Sequence, residues 1–194
     1  DGQPGSFWSE AMQRGSSGDS WFQTMALCIA ADRADVLLVP LLFNRRGLER
    51  VEVAAYVSQL AGLVAAKGNK SSIGVIMTAL SKDEFPSGIR SLVLQKMLPH
   101  TARLSISLAE VSSNEVTVAR LREIGNQALA IVNGSSSSEE KALALPVIVA
   151  LAPLEQAFGV IFSLLAPSQP QDLQLTALDA LGSYREPAVA DMLI

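Results

Sequence analysis

Proline, glycine and short polar runs repeatedly interrupt a sequence that is otherwise rich in Ala and Leu. Between the interruptions, apolar residues recur every three or four positions, as Leu173, Ala177 and Leu181 do. This spacing places them on one face of an α-helix, whereas a half-buried strand alternates apolar and polar residues. The sequence therefore predicts an all-α fold built from many short helices.

The interruptions also predict where the helices begin and end. Ser137 and Glu140 have the spacing of a capping box, as do Ser112 and Glu115. Pro146 predicts a helix that is kinked or begins late, and no element is assigned to 100–111. The predicted helices are 7–12, 20–31, one capped by Asp32 that reaches Asn44, 51–66, one from Ser71 or Ser72 to Leu80, 86–98, 112–131, one after Ser137, 153–165, 170–181 and a last one from Pro187.

Two stretches follow the HEAT-repeat pattern, in which an Asp-Pro turn precedes an Ala/Leu-rich second helix that ends in Leu-Gly. Residues 164–194 carry it most clearly, with Ala166 and Glu186 where Asp is usual and Gln174 where Arg is common. Residues 19–43 resemble a second copy of the pattern. Residues 51–160 continue the succession of predicted helix pairs but lack the Asp-Pro and Leu-Gly signature.

Such helix pairs cannot bury their apolar faces alone, so they must stack on one another. We therefore predict a HEAT-like α-α superhelix, a right-handed solenoid of antiparallel helix pairs. It would form a single domain over 1–194, as a piece of a longer protein. A compact helical bundle is the alternative.

Some of these sequence segments also resemble a protein family that is more specific than HEAT-repeat proteins in general. Ser20-Trp21-Phe22, Lys67-Gly68-Asn69 and the stretch 164–194 are similar to the helical region of large bacterial haem-binding, membrane-bound dehydrogenases. In that family a β-propeller precedes HEAT-like helices and a cytochrome c domain follows them. The resemblance implies that this chain is the helical middle, in a periplasmic or other extracytoplasmic location, with c-type haem in a downstream domain.

No catalytic, cofactor-binding or metal-binding residue is predicted in this chain. A c-type haem needs a Cys-x-x-Cys-His run, but Cys28 and His100 are the only residues of their types. His100 is predicted to be a C-terminal cap in a loop. Two acidic pairs, Asp83-Glu84 and Glu139-Glu140, are predicted to lie in the first turns of helices, where their charge is favourable.

Other candidate patterns have ordinary structural interpretations. Ser138 and Lys141 have a Ser-x-x-Lys spacing without its companion motifs, and Gly68 to Ser71 lack the rest of a phosphate-binding loop. Trp8, Trp21 and Phe22 are predicted to fill gaps in the core.

The charge argues against nucleic acid as a partner. The chain carries 15 Lys and Arg against 19 Asp and Glu, a net charge of −4, whereas nucleic-acid binding needs a basic face. Arg45, Arg46 and Arg50 are predicted to surround a solvated turn. No direct membrane span is predicted, because the uncharged stretch 142–154 is shorter than the roughly 20 residues that cross a bilayer.

These observations predict a non-catalytic scaffold that binds protein partners or flanking domains of its own chain. Two alternatives stay open: a fragment that contributes to the active site of a redox enzyme, and a free-standing regulatory HEAT protein. Weak self-association through the apolar end at 187–194 is also predicted.

Overall fold

A computed structural model describes residues 33–43, 48 and 51–184 of this chain. Every regular element in these residues is a helix, which confirms the predicted all-α class. The helices are α1 (Ala34–Phe43), α2 (Val51–Lys67), α3 (Lys70–Leu80), α4 (Ser87–Arg103), α5 (Glu115–Asn133), α6 (Ser138–Leu151), α7 (Leu154–Leu164) and α8 (Gln171–Leu181).

Short polar side chains fix the starts of three helices. The Ser137 hydroxyl accepts from the Glu140 N–H at 3.2 Å, and the Glu140 carboxylate accepts from the Ser137 N–H at 2.9 Å, which confirms the predicted capping box. α5 is capped by Asn114 rather than by Ser112, because the Asn114 carboxamide oxygen accepts from the N–H of Val116. α3 likewise starts at Lys70, capped by Asn69, so the predicted start at Ser71 or Ser72 was slightly late.

The prolines behave in two ways. Pro86, Pro153 and Pro170 each immediately precede a helix, close to the starts predicted for them. Pro99, in contrast, lies inside α4, which continues to Arg103 although the predicted end was Leu98. Pro146 lies inside α6, so the predicted late start was wrong. A proline removes one N–H of a helix, but packing along the remaining turns holds the helix together.

The helices are packed in a definite order. α2 packs against α4, α4 against α6, and α6 against α8, while α1 packs on α2. Helices α3, α5 and α7 contact one another in sequence behind this row. The two layers are joined where α5 packs on α6 and α7 on α8. We call the series α2, α4, α6 and α8 the helix row.

Buried aliphatic side chains from all eight helices form one continuous cluster between the layers. Leu60, Leu94 and Leu145 supply fully buried side chains from three successive helices of the row. Gly125 permits the closest approach of α5 to α6, since a Cβ there would lie 3.0 Å from the Leu151 carbonyl oxygen. Gly68, with a φ of +70°, ends α2 in a conformation that favours glycine.

Several predictions concern residues outside the described ranges. They are the helices at 7–12, at 20–31 and from Pro187, the repeat ends 19–32 and 185–194, Cys28, the aromatic residues Trp8, Trp21 and Phe22, and the arginines Arg45, Arg46 and Arg50.

Candidate functional site

Two neighbouring grooves run over the outer surface of the helix row. One lies between α2 and α4, and the other is lined by α4, α6 and α8. α4 contributes to both, with Leu92 and Lys96 in the first groove and Gln95 in the second. The row face is defined by the groove-lining residues Ala55, Gln59, Leu92, Gln95, Lys96, Pro146, Val149, Thr176 and Asp179.

The groove between α2 and α4 is the larger, with a volume of about 680 Å³. Its described lining is mainly aliphatic, and Lys96 is the only charged side chain among the described residues that line it. The Ser58 hydroxyl donates to the Ala55 carbonyl at 2.7 Å, so it is engaged within its own helix. Gln59 and Lys96 are therefore the polar side chains best placed to orient a ligand along an apolar floor.

The second groove, about 60 Å³, indicates a concave surface at α6. Gln95 of α4 and Asp179 of α8 line it from the two sides, although α6 lies between these helices in the packing order. Pro146 and Val149 of α6 line the space between them. The second groove is thus a small depression over α6 on the row face.

Two prolines each remove one backbone hydrogen bond from these helices. Pro99 in α4 and Pro146 in α6 have no N–H, so neither can donate to the carbonyl four residues earlier. The carbonyls of Gln95 and Ala142 consequently lack their usual helical donor.

An arginine fixes the loop 81–86 that leads into α4. The Arg90 guanidinium donates to the carbonyls of Leu80 at 2.9 Å, Lys82 at 3.0 Å and Phe85 at 3.2 Å. Desolvation by burial lowers the pKa of Arg90 below its ordinary value, yet an arginine remains charged at neutral pH. The side chain therefore makes charge-assisted bonds to the end of α3 and to the loop.

A glutamine does the same for the loop 165–170 that leads into α8. The Gln174 carboxamide donates to the carbonyls of Ala166 at 3.3 Å and Gln169 at 2.8 Å. Ala166 and Gln169 precede Gln174 by the same intervals by which Lys82 and Phe85 precede Arg90. Residues 80–90 thus share a loop and its hydrogen bonds with residues 164–174, although the middle of the chain lacks the signature read from the sequence. The overlooked signal is the residue four positions after a helix-opening proline.

The residues considered as candidate sites are dispersed. His100 lies in the last turn of α4 and not in the predicted loop. Asp83 and Glu84 lie in the loop 81–86 rather than in a first helical turn, and Asp83 pairs with Arg120 of α5. Glu139 and Glu140 do occupy the first turn of α6, as predicted. Across the described ranges, no group of three His, Cys, Asp or Glu side chains comes together in a metal-ligand arrangement.

Among the described helices, none combines the length and apolar character needed to cross a bilayer. Comparison with protein-family models, with curated proteins and with solved structures finds no match to this chain. The resemblance to haem-binding dehydrogenases therefore stays a prediction. The row face and the two equivalent loops are the features from which a function can be argued.

Proposed function

We propose that this chain is a HEAT-like α-α superhelix, a right-handed solenoid, that works without catalysis of its own as an interaction scaffold. Its curved row of helices would hold protein partners, or flanking domains of its own chain, at a fixed separation. The family resemblance adds the proposal that those domains belong to a haem-containing dehydrogenase.

The observation that carries the proposal is the recurrence of one unit. Pro86 and Arg90 are separated from Pro170 and Gln174 by the same offset, and each pair opens a helix of the row. α7 packs on α8 behind the second of these helices, whereas α3, which precedes the first, packs on α1, α2 and α5. A loop, a helix and a set of hydrogen bonds that recur together are typical of a structural repeat.

The order of packing supports the same proposal. In a repeat protein each unit contacts its neighbours, so the contacts form a series. The contacts α2 to α4, α4 to α6 and α6 to α8 follow this rule. A bundle wrapped about one centre would instead bring the first and last helices of the row together.

The chemistry of the row face favours a protein partner. The cores of protein interfaces contain few charged residues, and the two grooves are lined mainly by aliphatic and uncharged side chains.

Distances measured between spin labels by pulsed electron paramagnetic resonance would test the arrangement. In a Cys28→Ser background, labels are attached to Gln59→Cys with Asp179→Cys, and to Gln95→Cys with Asp179→Cys; all three sites are exposed. Packed helices lie roughly 8–10 Å apart. The α2–α8 distance should therefore exceed the α4–α8 distance by about that spacing.

A rigid scaffold should also give a narrow distribution for both pairs. An α2–α8 distance equal to or shorter than the α4–α8 distance would contradict a serial row and support the compact bundle. Broad distributions for both pairs would contradict a scaffold that fixes a separation.

A further inference from the structure

The two equivalent helices differ in what covers them. On α4, the stripe formed by Ser87, Ser91, Leu94 and Leu98 faces α6, and Leu98 lines a groove with Leu145 and Val149 of that helix. Ser91 is 3% exposed and Leu94 is fully buried. The neighbouring helix α6 therefore helps to bury this stripe.

Among the described residues, no helix covers the equivalent stripe on α8. It consists of Gln171, Leu175, Leu178 and Gly182 and is called the α8 stripe. Leu175 is 54% exposed and Leu178 is 51% exposed, although the residues at their positions on α4 are buried. The internal equivalence thus indicates what covers such a surface, namely a helix packed as α6 packs on α4.

The charged residues beside the α8 stripe indicate which kind of helix could cover it. Asp172 and Asp179 border the α8 stripe on one side, and Glu155 is the other charged residue between Ala142 and Tyr184. The two charged residues of α8 itself are therefore both negative. The α8 stripe of a second copy would bring the same acidic border against this one, which is unfavourable. A helix with Lys or Arg beside its aliphatic stripe would be complementary.

We propose that an amphipathic helix of a protein partner, aliphatic on one face and basic along its border, docks on the α8 stripe as α6 docks on α4. Leu175 and Leu178 provide the apolar contact, and Asp172 and Asp179 set its orientation. The inference rests on the proposed repeat architecture and names one surface and one class of partner for it.

Two synthetic helical peptides serve as the probes. Both carry the same Leu and Ala stripe, bordered by Lys in one peptide and by Glu in the other. Binding to the full 194-residue chain is followed by fluorescence anisotropy. We expect the Lys peptide to bind about tenfold more tightly than the Glu peptide, and the double variant Asp172→Asn, Asp179→Asn to remove this preference.

The double variant Leu175→Ser, Leu178→Ser should weaken binding of the Lys peptide by about tenfold or more, because it removes the apolar contact. Leu143→Ser is the matched control, since Leu143 is an exposed leucine of α6 outside the stripe. It should leave the affinity unchanged. Circular dichroism verifies that each variant is folded.

Equal affinities for the two peptides, or an affinity that survives loss of both leucines, would overturn the proposal. So would a concentration-dependent dimer in light scattering that disappears in the Leu175→Ser, Leu178→Ser variant, because a second copy would then be the occupant. The spin-label distances are independent of these results. A serial row without peptide binding would reject the docking site alone, whereas a compact bundle would reject the scaffold itself.

Discussion

The loops 81–86 and 165–170 follow the same path with different side chains. In the first, the Phe85 N–H donates to the Lys82 carbonyl at 3.1 Å, and in the second the Gln169 N–H donates to the Ala166 carbonyl at 2.9 Å. Each loop ends in a proline before a helix of the row. The backbone acceptors are thus in equivalent places, and either a guanidinium or a carboxamide can satisfy them.

The two loops differ in the number of charged side chains that stabilise them. Arg90 bonds both loop carbonyls and also reaches the carbonyl of Leu80 at the end of α3. The loop 81–86 is further attached to α5 through Asp83 and Arg120. The loop 165–170 contains no charged residue. The comparison teaches that one backbone geometry can be held by ionic contacts at one place and by neutral ones at another.

Removing the arginine should have the largest effect. Arg90→Ala would leave three carbonyls without their donor, two of them in partly buried hydrogen bonds, and we expect a loss of about 2–3 kcal/mol in the free energy of unfolding. Urea denaturation measures it. Arg90→Lys should recover little, because one ammonium cannot match the planar fork. A loss below about 1 kcal/mol for Arg90→Ala would show that water replaces these bonds.

The glutamine should matter less. Gln174→Ala removes two neutral hydrogen bonds, for which we expect a loss of about 1 kcal/mol in the same measurement. Gln174→Glu is the sharper control, since an ionised carboxylate can only accept and would face the carbonyls of Ala166 and Gln169. It should destabilise the chain more than alanine does, and the reverse order would contradict the assigned contacts.

Exchanging the donors tests the equivalence directly. Gln174→Arg places the guanidinium of the first loop in the second, where the carbonyls of Ala166 and Gln169 can accept from it. We expect a gain of about 0.5 kcal/mol in the free energy of unfolding, because charge-assisted hydrogen bonds are stronger than neutral ones. A loss larger than the loss from Gln174→Ala would mean that the second loop cannot accommodate the arginine, and the two units would not be equivalent.

The ion pair of the first loop should contribute least. The Asp83 side chain is 69% exposed, so Asp83→Asn should cost about 0.3 kcal/mol at low ionic strength. The difference should vanish in about 1 M salt, where the Debye length is near 3 Å. Pro167→Ala, at the equivalent position of the other loop, should show no such dependence on salt. A salt-independent loss in Asp83→Asn would contradict an ionic contribution.

Local signals in the sequence predicted the helices well. The capping box at Ser137, the proline before α8 and the glycine after α2 act within one turn of the chain, so spacing alone identifies them. Pro99 misled the prediction of the end of α4. The preference of the residue before a proline is a local bias, and tertiary packing of α4 outweighed it.

The candidate site was much less predictable. Lys96 and Gln59 lie on different helices, and nothing in their spacing shows that α2 and α4 share a groove. The role of Arg90 was closer to being predictable from the sequence. The repeat pattern commonly has arginine at the position of Gln174, and Arg90 occupies the equivalent position after Pro86. The same offset from a helix-opening proline, applied to Pro86, leads to Arg90.

By itself, the sequence determined an all-α chain, the approximate limits of its helices and the capping box of α6, because helix periodicity and capping depend on residues only a few positions apart. The tertiary structure decided which helices are neighbours, which carbonyls Arg90 reaches and why Leu94 is buried while Leu178 is exposed. Burial depends on whether another helix lies against a face, and that helix can come from anywhere in the chain or from another molecule.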